Sequence, residues 1–331
     1  MSAERVIAIT MGDPTGIGPE IIAKVFADEG APRSLVVGDV AMMRRAVGLL
    51  GLSLEINPVE EVGDARFEPG VIDVLPVTDL PEDLPFGVVD ARGGEGAFRY
   101  LERAVELALA DEVHAVATAP LNKEAMHLAG FKYPGHTEIL AELTGVRDYA
   151  MMLVADRLRV VHVSTHVALS EAIRRVQPER ELTVIRLADR SLRQLGIDNP
   201  RVAVAGLNPH AGEAGLFGTE DRDVIAPAVE AARAEGIDAS GPWPPDTVFM
   251  QARQGRFDIV VVQYHDQGHI PIKLMGFDDG VNVTVGLPFF RTSVDHGTAF
   301  DIAGTGKADH ASMRAALDLA STLARPVEAT T

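Results

Sequence analysis

Cysteine is absent from all 331 residues of the chain. Disulfides, thiolate metal sites and a cysteine nucleophile are therefore excluded, and the absence fits a reducing compartment. Positive charge is scarce, with 30 Lys and Arg against 48 Asp and Glu and a formal net charge of -18. Nucleic-acid affinity depends on clustered basic residues, so nucleic acid is not an expected partner. Any anionic small molecule must instead meet a local basic site. No apolar run approaches the roughly 20 residues of a membrane span, and no signal peptide is visible, so no membrane partner and a cytoplasmic location are expected. Internal repeats and low-complexity tracts are also missing.

The composition that remains is that of a packed globular protein: 47% hydrophobic and 24% charged residues. The length suggests about two domains. Short β-branched runs at Val6–Met11, Leu35–Val37, Ala115–Thr118, Val160–Val163, Val202–Leu207 and Ile259–Val262 read as strands. Helical patterns lie between them, including Phe98–Leu109, Leu182–Leu195, Val224–Ala234 and Met313–Leu323, and Pro19-Glu20 opens a helix where proline is tolerated. Near-continuous apolar strands alternating with helices predict an α/β protein with mostly parallel sheets covered on both faces. The Pro- and Gly-rich stretch Pro76–Gly96 reads as a linker or a long surface loop.

Three of these strands end on a histidine: Val160–Val163 runs into His166, Val202–Leu207 into His210, and Ile259–Gln263 into His265. Ligands of open α/β sheets bind outside the carboxyl ends of the strands. Imidazole is the commonest side-chain metal ligand, and three histidines with open positions describe a catalytic metal site. Spacing alone equally allows three hydrogen-bonded loop residues. His162 lies inside a strand and reads as a core residue, whereas His114, His127 and His310 read as surface or helix positions. Lys273, Asn282 and Arg291, with Pro134-Gly135-His136-Thr137 earlier, offer donors for a carboxylate or phosphate, although spacing alone would leave them as scattered surface residues. The glycine-rich turns Gly12–Gly18 and Gly212–Gly218 are either phosphate cradles or tight turns, and neither is a Rossmann or Walker motif.

Longer stretches carry a resemblance. Thr10–Glu20 (TMGDPTGIGPE), Pro134–Glu138 (PGHTE), Gly206–Glu213 (GLNPHAGE), Tyr264–Gly268 (YHDQG) and Gly286–Ala299 (GLPFFRTSVDHGTA) resemble the 4-hydroxythreonine-4-phosphate dehydrogenase family over essentially the whole chain. The resemblance implies a two-domain α/β/α fold like isocitrate and isopropylmalate dehydrogenases, with a cleft between domains. Expected boundaries are approximately 1–135 plus 300–331 for the first domain and 136–299 for the second, which would carry the metal ligands and dimer interface. It further implies a homodimer with the active site at the interface and one divalent ion (Zn, Co, Mn or Mg) on His166, His210 and His265, the last from the partner subunit. Substrate contacts are implied at His136, Thr137, Lys273, Asn282 and Arg291, with Lys273 a candidate base. NAD contacts are implied at Asp295, His296 and Gly297, together with Asp246.

The implied reaction is NAD-dependent, metal-assisted oxidation with decarboxylation of a 4-phosphorylated 3-hydroxy acid. Thr118–Glu124 and Gly268–Lys273 look closer to the branch acting on 4-phospho-threonate or erythronate 4-phosphate. Alternatives are 4-hydroxythreonine 4-phosphate in pyridoxal phosphate biosynthesis, a cis-dihydrodiol, and a metal-dependent hydrolase or aldolase that does not use NAD.

Overall fold

The computed structural model describes residues 5–275 and 280–324. The chain forms two compact units: the described residues up to Val146 with those from Leu287 onward, and Arg147–Gly286. The first five strands, β1 (Ile7–Thr10), β2 (Ser34–Gly38), β3 (Glu55–Pro58), β4 (Val71–Pro76) and β5 (Ala115–Thr118), belong to the first unit. The second unit holds β6 (Ala150–Ala155), β7 (Leu158–His162), β8 (Val202–Ala205), β9 (Ala239–Trp243), β10 (Ile259–Val262) and β11 (Val281–Val285). The last strand, β12 (Phe290–Ser293), returns to the first unit.

In the first unit the order is β3-β4-β2-β1-β5-β12, and every pairing is parallel. Its core joins strand residues such as Ile7, Ile9, Val36 and Ile72 to Ile21, Ile22, Tyr100 and Leu101 from the covering helices. Buried parallel strands need apolar side chains on both faces, which is why they read as runs rather than as alternations. In the second unit β7, β10, β8 and β9 are parallel neighbours in that order, while β11-β6 and β6-β7 are antiparallel. Its core includes Leu153, Leu158, Val160, Ala203, Val260 and Ile272. The α/β class and the mostly parallel sheets match the expectation. Among the described residues, no helix is long and apolar enough to cross a membrane.

The expected boundaries near 135 and 300 need moving to 146/147 and 286/287. Helix His136–Thr144 buries Ile139 and Leu140 in the first core, and β12 pairs in register with β5, so both stay with the first unit. The ends of the expected first domain, residues 1–4 and 325–331, lie outside the described residues. Pro76–Gly96 is not a linker. Leu80 and Leu84 are buried in the first core, and the glycines at its end fall in the first turns of helix Ala91–Leu109.

Candidate functional site

The structure groups the candidate residues into two sets, one in each unit. In the first unit, Arg291 lies on β12 opposite Val116 of β5. Its guanidinium is buried, and both Nε (3.2 Å) and Nη2 (2.7 Å) donate to Thr118 Oγ1. Burial pushes the guanidinium down to about 9, with Glu138 opposing the shift. His136 and Thr137 open helix His136–Thr144, so their backbone N–H groups have no intrahelical partners. Burial and the charge of Arg291 hold the His136 ring well below its ordinary value, with Lys123 adding to the effect. It is therefore a neutral imidazole at physiological pH. Lys123 begins helix Lys123–Leu128, which Asn122 caps by accepting from Ala125 N at 2.9 Å.

Sequence reasoning assigned no site role to Thr118 or Lys123. The signal was present in Thr118-Ala-Pro-Leu-Asn-Lys, which leaves the carboxyl end of β5 just where β12 delivers Arg291.

The glycine turn after β1 is a buried tight turn rather than a phosphate cradle. Gly12 has φ +69°, a Cβ there would lie 2.2 Å from Pro120 O, and Asp13 N donates to that oxygen at 2.8 Å. Asp13 Oδ1 accepts from Thr15 N and Oγ1 (2.9 and 2.7 Å), while Oδ2 is buried without a partner, and burial pushes the carboxyl up to about 6.

The second unit carries the three strand-end histidines. His166 follows β7 and is exposed, and His265 begins helix His265–Met275 after β10 and is partly exposed. Their ring centroids are 5.3 Å apart. Both line a cavity of about 450 Å³ with Leu169, Ala172 and Tyr264. His265 Nδ1 lies 2.7 Å from Asp266 Oδ1, a carboxylate–imidazole pairing of the kind that supports metal-ligating histidines. His269 stacks on the same ring at 3.6 Å. His210 lies on an exposed turn after β8, where residues from His210 to Ala214 all have positive φ. Asp221 anchors the start of this turn, accepting from Leu207 N (2.8 Å), Asn208 N (3.2 Å) and Asn208 Nδ2 (2.8 Å).

The donor chemistry fits a divalent ion. Among the described residues of one chain, however, no group of three His, Cys, Asp or Glu converges closely enough to hold it. One chain pairs His166 with His265.

Lys273 is exposed near the end of helix His265–Met275, and Asn282 lies on β11 with a buried Oδ1 that has no hydrogen-bond partner. Asp246 is exposed in the second unit, whereas Asp295, His296 and Gly297 follow β12 in the first. Gly297 is exposed, with open space where a Cβ would stand. His162 is a core residue, as expected: Nδ1 lies 3.1 Å from Met151 O, and burial pushes the ring down to about 3.

The family model of the pyridoxal phosphate biosynthetic protein PdxA matches residues 31–320. The chain is 55% identical over 326 residues to a D-threonate 4-phosphate dehydrogenase of Pectobacterium atrosepticum, covering 97% of this chain and 99% of that one. It is 53% identical over 324 residues to a 4-hydroxythreonine-4-phosphate dehydrogenase of Beijerinckia indica, covering 98% and 96%. A crystal structure of 4-hydroxythreonine-4-phosphate dehydrogenase from Klebsiella pneumoniae superposes with a TM-score of 0.93 at 52% identity, covering 97% of this chain and 98% of that one.

Proposed function

The chain belongs to the family of the pyridoxal phosphate biosynthetic protein PdxA and is a dehydrogenase acting on a CH–OH group, and from that premise we propose that it oxidises and decarboxylates 4-phospho-threonate or erythronate 4-phosphate with NAD and a divalent ion. The observation that carries the phosphorylated-acid reading is Arg291. A guanidinium is seldom fully buried unless it is paired, and this one lies near His136, held neutral, and Glu138 in a chain of net charge -18. Its planar fork suits a phosphate or carboxylate.

Arg291 and the amides of His136 and Thr137 hold the substrate anion, and neutral His136 donates a hydrogen bond without adding charge. Asn282 presents its buried Oδ1 to a substrate hydroxyl. Lys273 accepts the proton from the hydroxyl being oxidised. His166, His210 and His265 hold the ion, and Asp246, Asp295, His296 and Gly297 contact NAD. When bound, the ion supplies Lewis acidity and NAD the hydride acceptor.

We infer a homodimer in which the His210 and His265 serving one ion belong to different copies. On this reading the second copy would cover large apolar residues exposed on the segments that carry the histidines: Leu169 (58%) after His166, Leu216 (71%) after His210 and Leu274 (83%) near the far end of the helix that His265 begins.

The relative from Beijerinckia indica keeps a second substrate in view, 4-hydroxythreonine 4-phosphate. The test is an assay of purified protein with NAD, each of Zn, Co, Mn and Mg, and each candidate substrate, following NADH and CO2. Turnover of a phosphorylated threonate or erythronate well above that of 4-hydroxythreonine 4-phosphate is expected. Preference for the latter would replace the substrate assignment. Failure on every phosphorylated acid, with turnover of a cis-dihydrodiol, would overturn the phosphate reading, and turnover without NAD would point to hydrolase or aldolase chemistry.

A further inference from the structure

Three hydrogen bonds join the three strand ends that carry the histidines and a fourth closes the turn that contains His265, and all four run through two glutamines. Gln263 is fully buried at the end of β10, and Gln267 is 7% exposed in the first turn of the helix that follows. The carbonyl of Gln263 accepts from Ser164 Oγ at 3.1 Å, which ties β10 to the segment leading from β7 to His166. Gln263 Nε2 donates to Ala205 O at 2.9 Å, and Gln267 Nε2 donates to Gly206 O at 2.8 Å, which ties β10 to the end of β8 that leads to His210. Gln267 Oε1 accepts from Gln263 N at 2.7 Å, closing the turn that contains His265.

These contacts settle the orientation of the Gln267 amide, since one end faces an N–H and the other a carbonyl. Reversing it would set donor against donor and acceptor against acceptor. The start of the His210 turn is consequently gripped from two sides. The glutamines hold the carbonyls of Ala205 and Gly206, and Asp221 holds the amides of Leu207 and Asn208.

We propose that Gln263 and Gln267 form an amide clamp that fixes, within each copy, the strand ends from which His166, His210 and His265 are presented. They are positioning residues for the ion-binding site proposed above, and the inference rests on that reading. Buried amide bonds of this kind are directional, so their loss lets a strand end drift without emptying the core. Metal sites are sensitive to such drift, and loss of a supporting partner typically costs about 10- to 100-fold in affinity.

The experiment compares Gln267→Met, Gln267→Glu and, as a control, Val260→Ala, a cavity in the apolar core of the same strand. Zn and Mn affinity is measured by competition with a chromogenic chelator, and amide exchange across 206–211 and 263–267 is measured on metal-free protein. Gln267→Met should weaken Zn binding by about 10- to 100-fold and speed exchange across both segments. Gln267→Glu keeps the acceptor for Gln263 N but loses the donor to Gly206 O, so it should loosen 206–211 and leave 263–267 protected. Val260→Ala should lower the melting temperature while leaving affinity and local exchange as in the wild type. Wild-type affinity and exchange in Gln267→Met would overturn the clamp, as would equal effects in the control. If the wild type binds no metal but exchange responds as described, the clamp stands as the link between strand ends and the ion-binding reading falls.

Discussion

Arg291 shows why a residue's chemistry can be visible in a sequence while its setting is not. Its place in the Gly286–Ala299 motif identified it, but neither its burial nor its contact with Thr118 could be read there, because β5 and β12 are distant in the chain and meet only by parallel pairing. Arg291→Met is expected to raise the KM for a phosphorylated acid by about 10- to 100-fold, from loss of a charge-assisted bond of about 1.5–3 kcal/mol, with a smaller change in kcat. Steady-state kinetics on the proposed substrate check it. Glu181 offers a test of stability rather than activity. It is fully buried on helix Pro178–Gln194, and neither carboxylate oxygen has a hydrogen-bond partner. Burial pushes it up to about 8, nearby Gln263 and Arg180 offset part of the shift, and Asp221 adds to it. A carboxyl with a raised folded-state value stabilises the fold fully below its unfolded value of 4.5 and loses that contribution as pH rises through about 8. Wild-type stability should therefore decline across that window, and Glu181→Gln should decline less, by on the order of a few kcal/mol. Denaturant unfolding at several pH values reads both.

At the scale of elements, the buried parallel strands were the most legible, because an unbroken β-branched run has few other uses in a folded protein. Ala115–Thr118 and Ile259–Val262 have the expected bounds. Strands β3, β4, β6, β9, β11 and β12 were not read from the sequence: Glu55–Pro58, Val71–Pro76, Ala239–Trp243, Val281–Val285 and Phe290–Ser293 mix polar residues, proline or arginine into their runs, and Ala150–Ala155 is made largely of Ala and Met rather than β-branched residues. Gly212, Gly215 and Gly218 marked a turn after β8, but its backbone conformation was hidden. Its non-glycine residues His210, Ala211, Glu213 and Ala214 hold positive φ, a conformation costing roughly 1–2 kcal/mol each, and the anchors that sustain it include Asp221, beyond the turn itself. Packing of helix His265–Met275 makes a further prediction. A Cβ at Gly268 would stand 2.5 Å from His162 Nε2 and 2.9 Å from Val262 Cγ2. Gly268→Ala should destabilise the protein by about 1–3 kcal/mol, seen as a lower melting temperature. Activity should fall as well, because the displaced helix carries His265.

At the scale of the whole molecule, the proposed homodimer makes the catalytic site a property of two chains. If the His210 and His265 serving one ion come from different copies, His210→Ala and His265→Ala should each be inactive alone. Mixed, unfolded and refolded together, they should recover about one quarter of wild-type activity, since half of a random mixture is heterodimer and each heterodimer holds one intact site of two. No recovery, with dimers confirmed by sedimentation, would place the His210 and His265 of one ion within the same chain.

The three histidines and their order along the chain were determined by the sequence alone, as were the α/β class and the absence of thiol chemistry. Each of these follows from residue identity and local pattern. Only the tertiary structure decided that His166 and His265 are neighbours within one chain, that Arg291 is buried against Thr118, and that Gln263 and Gln267 bridge the strand ends. Such facts depend on which strands lie side by side. Strand order is set by the packing of helices on both faces of a sheet, and that packing is a property of the whole core rather than of any stretch of sequence.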